Sequence, residues 1–458
     1  MDDRNREMAR RVAEAAARCG GRCYYVGGCV RDPLRGQESK DVDIEVHGVP
    51  LETLEGILDT LGERVSKGAS FGVLGLRHWE LDIALPRSET ATGRGHRDFA
   101  VSVDPFLGPE RAARRRDFTI NALMRDVLTG ELLDFFHGRE DLERGLIRHV
   151  DEKSFGEDPL RVFRAAQFAA RFEYTVVPGT RELCAAMAVE ALAPERVMEE
   201  LKKALLKAER PSIFFEELEK MRQLGRWFPE VEALRGVPQN PRFHPEGDVW
   251  THTLRVLDEA AALRAEAADP LALMLAALCH DFGKAVTTEE IGGVLHAYGH
   301  EIEGQPLIER FLRHLTRETK LRENVLSLTR LHMEPNKLPV CGAGEKAYMR
   351  LFDRALCPED LLLLAKADDL GRAASESDRA AMAESYRPVE TKLREMLALY
   401  HERMSRPCVM GRDLIEAGAR PGPQFTEALA CVRKLRLAGR PKKEQLSQAL
   451  ACLRKGKK

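Results

Sequence analysis

Two aspartates one residue apart, Asp41-Val42-Asp43, follow thirteen residues after Gly28 of a glycine pair, Gly27–Gly28, in the stretch YYVGGCVRDPLRGQESKDVDIEVHG. On a β-strand, residues i and i+2 face the same side, so both carboxylates point together. Adjacent anions repel unless cations sit between them, and Mg²⁺ prefers oxygen ligands of this kind alongside the phosphates of a nucleotide. The glycine pair ends a strand and precedes a helix that carries Arg31 and Asp32. Paired glycines let the backbone approach a triphosphate closely, and N–H groups at a helix start bind its oxygens. A third acid should come from a neighbouring strand, and Asp82 in WELDIALPRSE is the candidate. Metals held by Asp41, Asp43 and Asp82 would activate an attacking hydroxyl and neutralise a departing pyrophosphate. A lone D-x-D reads as an exposed strand with alternating acids; here the glycine pair, Arg31 and the spacing all favour the metal site.

A second set of candidate ligands lies far downstream. His252 stands in VWTHTLRVLDEAA and His280-Asp281 in LALMLAALCHDFGK; His296 and His300 follow in LHAYGHE, His332 in LTRLHME and Asp368 in LAKADDLGR. Imidazole and carboxylate ligands suit a range of transition metals as well as Mg²⁺. A lone buried histidine is usually a satisfied core residue. Adjacent His-Asp at the end of an apolar helix, with a distant His before and an Asp after, resembles the HD superfamily of metal-dependent phosphohydrolases. The resemblance implies a divalent metal, of unspecified identity, held by His252, His280, Asp281, His300, His332 and Asp368. An HD domain kept for packing and RNA support would need the same helices but not every ligand.

The elements that must position these residues change character along the chain. From about 22 to 150, the short runs CYYVGG, VDIEVHG, FGVLGL and ELDIAL read as strands bounded by Gly, Pro or charged residues. After about 151, LRVFRAAQFAARF, RVMEELKKALL and IFFEELEKMRQL place apolar residues at helical spacing. The stretch GVPQNPRFHPEGD (236–248) interrupts the helices, and Arg406–Pro407 begins a tail. The expected fold is α+β: a head on a small sheet over 1–150, a helical neck over 151–240, an HD domain over 241–400 and a basic helical tail over 401–458.

The head resembles the polymerase-β superfamily of nucleotidyltransferases, specifically the bacterial CCA-adding enzyme and poly(A) polymerase family of class II. Its Gly-Gly and Asp-x-Asp elements carry the resemblance together with RRDFTINAL (115–123), which is similar to the family's ribose-reading motif. The likeness implies that Arg116, Asp117 and Asn121 contact the sugar and triphosphate. DFFHGREDLERGLIRHV (134–150) is similar to the next motif, although a turn before an amphipathic helix describes it equally well. In the neck, Glu157-Asp158-Pro159-Leu160-Arg161 resembles the family's E-D-x-x-R element, which pairs with the incoming base in place of a template. Asp supplies acceptors and Arg supplies donors, matching the Watson–Crick edges of C and A. Glu157 would orient Arg161, and Arg164 either reaches the site or lies on the surface. The residues alone also describe a helix start, with Asp158 as N-cap and Pro159 at the first helical position. ERVMEELKKAL (195–205) resembles the last neck motif, with Glu195 and Arg196 structural.

Bulk properties agree. A 44% hydrophobic and 31% charged composition describes a globular chain, and 458 residues call for two to four domains. No apolar run reaches the roughly 20 residues of a membrane helix. The first residues mix both charge signs without an apolar signal core, so the expected compartment is the cytoplasm. Ten cysteines without a C-x-x-C pair argue for reduced thiols and against structural zinc. Net charge is −2, yet Arg111, Arg114, Arg115 and Arg116 cluster, and residues 431–458 carry ten Lys/Arg against Glu444 alone. Two basic patches in a neutral protein suggest phosphate contacts.

The family resemblance therefore implies an enzyme that adds CCA to tRNA from CTP and ATP, with Mg²⁺ in the head and no membrane partner. CC-only, A-only and poly(A) addition share the same motifs. The loop PRSETATGRGHRDFAVSVD (86–104) is long enough to include a mobile element for the final A. From another class, a phosphohydrolase with a nucleotide-sensing head would show decayed head motifs, and a scaffold would keep both sites only as relics.

Overall fold

The alternation in VDIEVH builds the strand on which the head depends. We describe the protein from a computed structural model covering residues 3–39, 41–68, 73–91 and 99–455. The head elements are α1 (Asp3–Arg18), β1 (Arg22–Val26), α2 (Gly28–Leu34), β2 (Val42–His47), α3 (Leu51–Leu61), β3 (Arg64–Gly68), β4 (Val73–Leu76), β5 (Leu81–Ala84), β6 (Arg87–Ala91), β7 (Phe99–Val103), α4 (Pro109–Arg114), β8 (Met124–Asp126) and β9 (Leu132–Leu133). Seven strands form one sheet in the order β3-β4-β5-β2-β1-β8-β9. Only the β2–β5 pair in it is parallel; the others are antiparallel.

One face of β2 presents Val42, Ile44 and Val46 to Met8, Val12 and Ala16 of α1 and to Leu54 and Leu58 of α3. Fully burying side chains of this size contributes about 1.5–3 kcal/mol each, so this layer holds the strand in register. A slip of one residue would turn the acids into that core. The opposite face carries Asp43, Glu45 and His47, with Tyr24 paired across from Glu45. Asp41 lies just before the strand and is exposed, so β2 starts one residue later than the motif suggests.

Within 86–104, read from sequence as a loop, β6 and β7 pair antiparallel, and residues 92–98 lie outside the described residues. The downstream region is helical with two exceptions. Leu146–Ile147 pairs in parallel with Thr175–Val176, and Glu289–Ile291 pairs antiparallel with Val294–His296. The helix Leu160–Phe172 spans the expected run and buries Val162, Phe163, Ala166 and Ala169. Its cap is displaced by one position: Pro159 is the N-cap residue, and the Asp158 carboxylate accepts from Leu160 N at 3.1 Å as an Asx-type turn.

The chain divides into two compact units, one ending at Ala208 with Ile213–Trp227 added, the other formed by Glu209–Ser212 and everything from Phe228 onward. In the second unit, the helix Pro270–Cys279 is buried on every side from Ala272 to Cys279, as an apolar helix must be. Asp269 caps it, accepting from Ala272 N at 3.0 Å. The helices Val249–Leu263 and Pro358–Leu370 pack around it, and the 30-residue helix Glu376–Ser405 leads to the tail. There, the helices Gln424–Leu437 and Lys442–Lys455 close over Val409, Leu414, Val432 and Leu453. No helix among the described residues is long and apolar enough to cross a membrane.

Candidate active site and candidate metal centre

In the first unit, Asp43 and Asp82 occupy directly opposed positions of the parallel β2–β5 pair. Their side chains therefore share one face, where like charges set opposite one another are destabilising without a cation. Gly27, ahead of α2, sits at φ 68° and ψ −131°, a conformation that L side chains rarely adopt. A Cβ there would lie 3.9 Å from both Asp43 Oδ2 and Arg116 Nη1. The glycine thus keeps the backbone close to a carboxylate and a guanidinium together. Arg116 Nη2 donates to Glu45 Oε2 at 3.2 Å, and His47 Nε2 lies 2.8 Å from Glu45 Oε1. Burial opposes ionisation of Glu45, but His47 and Arg116 outweigh it and hold the carboxyl below its usual range.

A buried polar network adjoins these residues. Arg31 is 5% exposed; its Nε donates to Asp32 Oδ1 at 2.8 Å and its Nη1 to Asn121 Oδ1 at 2.5 Å. Burial depresses the Arg31 guanidinium from its ordinary value, opposed by Asp32. Asn121 Nδ2 in turn donates to Asp117 Oδ1 at 3.0 Å, and Arg164 Nε donates to Asp117 Oδ2 at 2.7 Å. Burial raises the cost of the Asp117 charge, yet Arg164 and Asn121 hold the carboxyl below its usual range. Arg164, partly buried with its side chain 30% exposed, joins this network through Asp117. Gly28 lies beside the same groups, with Asp32 Oδ2 3.5 Å from a Cβ built on it.

The E-D-x-x-R residues are anchored differently from the sequence expectation. Glu157 accepts from Arg115 Nη2 at 3.1 Å. Arg161 donates from Nη1 to the Ser154 carbonyl at 2.6 Å and from Nη2 to the Arg115 carbonyl at 2.8 Å. The link from Glu157 to Arg161 thus runs through Arg115, because the fold brings the residues before Asp117 against the start of the neck helix. Asp158 Oδ2 accepts from Arg196 Nη2 at 3.0 Å, which gives Arg196 a definite structural partner.

The second unit brings all six candidate ligands chosen from sequence together, five of them buried and Asp368 partly buried. His252 Nε2 lies 3.1 Å from Asp368 Oδ1 and 3.7 Å from Asp281 Oδ2. His280 Nε2 is 3.2 Å from Asp281 Oδ2, and His300 Nε2 is 3.2 Å from Asp281 Oδ1. His300 and His332 meet at 3.4 Å through their Nε2 atoms. His280, His300 and His332 each place Nδ1 against the carbonyl three residues earlier, at 2.8, 2.8 and 2.6 Å. With Nδ1 as donor, each Nε2 offers its lone pair to the centre, the arrangement expected around a metal. Burial, reinforced by His280, pushes the His332 imidazole down to about 3, so it is neutral.

Asp281 provides a direct test of whether a metal fits. It is 1% exposed, and neither oxygen accepts a well-aligned hydrogen bond, although Lys284 Nζ stands 2.6 Å from Oδ2. A buried carboxylate is costly unless paired or coordinated to a cation, and this set of imidazole and carboxylate donors fits one. Three residue groups have ligand atoms mutually within 4.8 Å: His252-His280-Asp281, Asp281-His300-His332 and His244-Glu246-His252. A cleft of about 1090 Å³, lined by Asp281, Lys284, His300, His332 and Asp368 among others, opens on the cluster.

Several participants were not singled out from sequence. Glu246 lies 2.8 Å from both His244 Nδ1 and His252 Nδ1, orienting a candidate ligand from behind. Burial works against its charge, but the two imidazoles bring its carboxyl down to about 2. Its signal was the spacing His244-x-Glu246 before a capped helix. Glu45 and His47 continue the i+2 series of Asp41 and Asp43, and Glu200 stands 3.7 Å from Arg164 Nη1. His296, by contrast, stacks on Tyr298 with centroids 4.7 Å apart.

The glycine in HDFGK has a tight steric role. A Cβ on Gly283 would stand 2.0 Å from the His300 carbonyl oxygen and 2.9 Å from Gly304 N. Gly283→Ala must therefore displace the segment that carries His300. We expect a loss of about 1–3 kcal/mol of stability, or more, with reduced divalent-metal content. Thermal denaturation and elemental analysis check this; unchanged melting and metal content would refute the steric reading.

Two parts of the chain match known family models. Residues 23–148 match the poly A polymerase head domain family and residues 249–373 the HD domain family. Both kinds of domain generally use divalent metals. The multifunctional CCA protein of Cupriavidus taiwanensis is 39% identical over 342 residues, covering 72% of this chain and 79% of that protein. The multifunctional CCA protein of Alkalilimnicola ehrlichii is 36% identical over 426 residues, covering 90% and 97%. The fold is similar to that of the Bacillus stearothermophilus CCA-adding enzyme in complex with CTP, with a TM-score of 0.67, 20% identity and coverage of 99% and 98%. On the strength of the sequence relatives, this chain belongs to the multifunctional CCA protein family.

Proposed function

We propose that this protein is a tRNA nucleotidyltransferase that completes the 3′ end by adding C, C and A from CTP and ATP. The observation that carries the reading is the opposed pair Asp43 and Asp82 beside Gly27, on the sheet face turned away from the α1/α3 core. Asp41, Asp43 and Asp82 would hold Mg²⁺. Bound there, Mg²⁺ supplies the charge that activates the tRNA 3′-hydroxyl and neutralises the departing pyrophosphate.

The chain's own residues do the positioning. Gly27 and Gly28 let backbone N–H groups reach the triphosphate, with Arg31 and Arg116 as its cationic partners. Asn121 reads the sugar, while Asp117, already bonded to Asn121 and Arg164, positions both. Asp158 and Arg161 present acceptors and donors to the incoming base, and Glu157 fixes the Arg115 segment on which Arg161 rests. Because Arg161 is braced by two carbonyls, its donors have a defined direction.

The division into head 1–150, neck 151–240, HD domain 241–400 and tail 401–458 follows from the same reading, as does a cytoplasmic location, where tRNA is matured. The HD cluster supports a second activity, hydrolysis of phosphate esters, with His252, His280, Asp281, His300, His332 and Asp368 holding a divalent metal. Such a metal supplies an activated water and charge for the phosphoryl group. Lys284, beside Asp281, is placed to contact a substrate phosphate at the cleft floor.

The reading is tested with tRNAs ending before CCA, after C and after CC, given CTP and ATP separately and together with Mg²⁺, followed by sequencing of the 3′ ends. Ordered addition to CCA on all three substrates is the expected result. Products limited to CC or A, or long A tails, would replace it with those narrower activities, and no addition would refute it.

A further inference from the structure

We propose that Glu45 is a positioning residue for nucleotide addition, holding the Arg116 guanidinium beside Gly27 in the orientation that receives a triphosphate. This inference rests on the reading of Arg116 as a nucleotide ligand. Glu45 follows Asp43 by two residues on β2 and so shares its face of the sheet. Its backbone is fixed from both sides, opposite Tyr24 of β1 and Ala84 of β5. Its two carboxylate oxygens are divided between two partners. Oε2 accepts from Arg116 Nη2 at 3.2 Å, and Oε1 lies 2.8 Å from His47 Nε2. That contact is the one hydrogen bond of the His47 ring among the described residues, since its buried Nδ1 has no partner. Tyr24 packs edge-on against the same ring, with centroids 5.3 Å apart and planes at 86°.

The pairing decides which way Arg116 points. Arg116 Nη1 and Asp43 Oδ2 each stand 3.9 Å from a Cβ built on Gly27, so they are no more than twice that distance apart. A guanidinium released in that space would be drawn to Asp43 and would compete for it with Mg²⁺. Glu45 takes one nitrogen, Nη2, and leaves Nη1 on the Gly27 side. The pair is partly buried, with the Arg116 side chain 24% and the Glu45 side chain 12% exposed, so salt screens it less than a surface pair. A long side chain fixed before its ligand arrives loses less rotamer freedom on binding, which raises affinity. Triphosphate and ribose are common to CTP and ATP, so the contribution is the same for both and leaves the choice between C and A untouched. Because its oxygens already serve Arg116 and His47, Glu45 acts through Arg116 and not as a further metal ligand.

The test compares the full-length protein with Glu45→Ala, Glu45→Gln, Arg116→Ala and the variant carrying both alanines. Affinity for CTP and for ATP is measured by isothermal titration in EDTA, and kcat and KM for each nucleotide are measured on tRNA lacking CCA. Arg116→Ala should weaken both nucleotides about tenfold to a hundredfold, the loss of a charge-assisted bond. Glu45→Ala should weaken both about threefold to tenfold and raise both KM values alike, with kcat changed by less than about threefold. Glu45→Gln, which keeps an acceptor for Nη2, should restore most of that loss. With Arg116 already alanine, removing Glu45 should cost no further affinity, a result that a general loosening of β2 would not give. Parental affinity in Glu45→Ala, additive losses in the double variant, or a loss in Glu45→Gln as large as in the alanine variant would overturn the positioning role. So would a fall confined to kcat, which would make Glu45 a metal ligand. If Arg116→Ala binds both nucleotides as the parent does, the reading of Arg116 as a nucleotide ligand falls and the positioning role with it. Lost affinity in Arg116→Ala beside parental affinity in Glu45→Ala would remove the positioning role alone.

Discussion

Asp43→Ala is expected to lower the rate of nucleotide addition by about a thousandfold or more, since metal-assisted stabilisation of developing charge is worth several kcal/mol and each 1.36 kcal/mol is tenfold in rate. The loss should fall on turnover, with tRNA affinity left near the parental value, because a single carboxylate adds nothing to the attraction of phosphates. The measurement is single-nucleotide extension of a tRNA lacking CCA, with tRNA affinity determined in parallel by filter binding. Asp43→Asn separates chemistry from folding. It keeps the shape of the side chain and relieves the charge opposition with Asp82, so its thermal stability should match the parent while addition is still lost. Addition by Asp43→Ala at a rate near that of the parent would remove the carboxylate pair from the mechanism.

Asp281→Ala has the second large expected effect, confined to the other unit. Its carboxylate touches both halves of the histidine cluster, standing 3.2 Å from His280 Nε2 through Oδ2 and 3.2 Å from His300 Nε2 through Oδ1. Burial alone would raise its pKa, but His280 and Lys284 hold it well below the ordinary carboxylate range. Its removal should abolish phosphate-ester hydrolysis and bound divalent metal, measured with p-nitrophenyl phosphate and by elemental analysis. Nucleotide addition should continue at the parental rate, because Asp43 and Asp281 belong to separate compact units. Breaking a buried charge cluster costs about 3–5 kcal/mol, so Asp281→Asn is run beside it as the isosteric control. Retained hydrolysis would refute the assignment of the cluster. Loss of addition together with hydrolysis in both variants would show that the two sites depend on one another.

The candidate sites were legible in different degrees. Asp41-x-Asp43, the glycine pair and Asp82 could be chosen because a strand's two-residue period puts alternate side chains on one face whatever the rest of the fold does. The six HD residues could be chosen because their types are rare in apolar helices and their order is a family signature. Arg164 was ambiguous, since a helix surface residue and a buried ion-pair partner look alike in sequence. Its pairing with Asp117 is a contact across 47 residues. Glu246 escaped attention for a related reason: a glutamate in a Pro/Gly-containing stretch reads as solvated until His252 is seen 2.8 Å away. The stretch 86–104 shows the same limit, because composition marks a turn but not the pairing of its flanks into β6 and β7.

By itself, the sequence determined the α+β head followed by helices and the residue types gathered in both clusters. These depend on periodicity, residue type and spacing, which are properties of the chain at short range. Tertiary structure alone decided that Asp43 stands opposite Asp82, that Glu157 reaches Arg161 through Arg115, and that Tyr298 lies braced on His296 at the edge of the HD cleft. Each is a choice among several partners of nearly equal local merit. That choice is made when burial of Val42, Ile44 and Val46 on one side, and of the Pro270–Cys279 helix on the other, sets the register of everything attached to them.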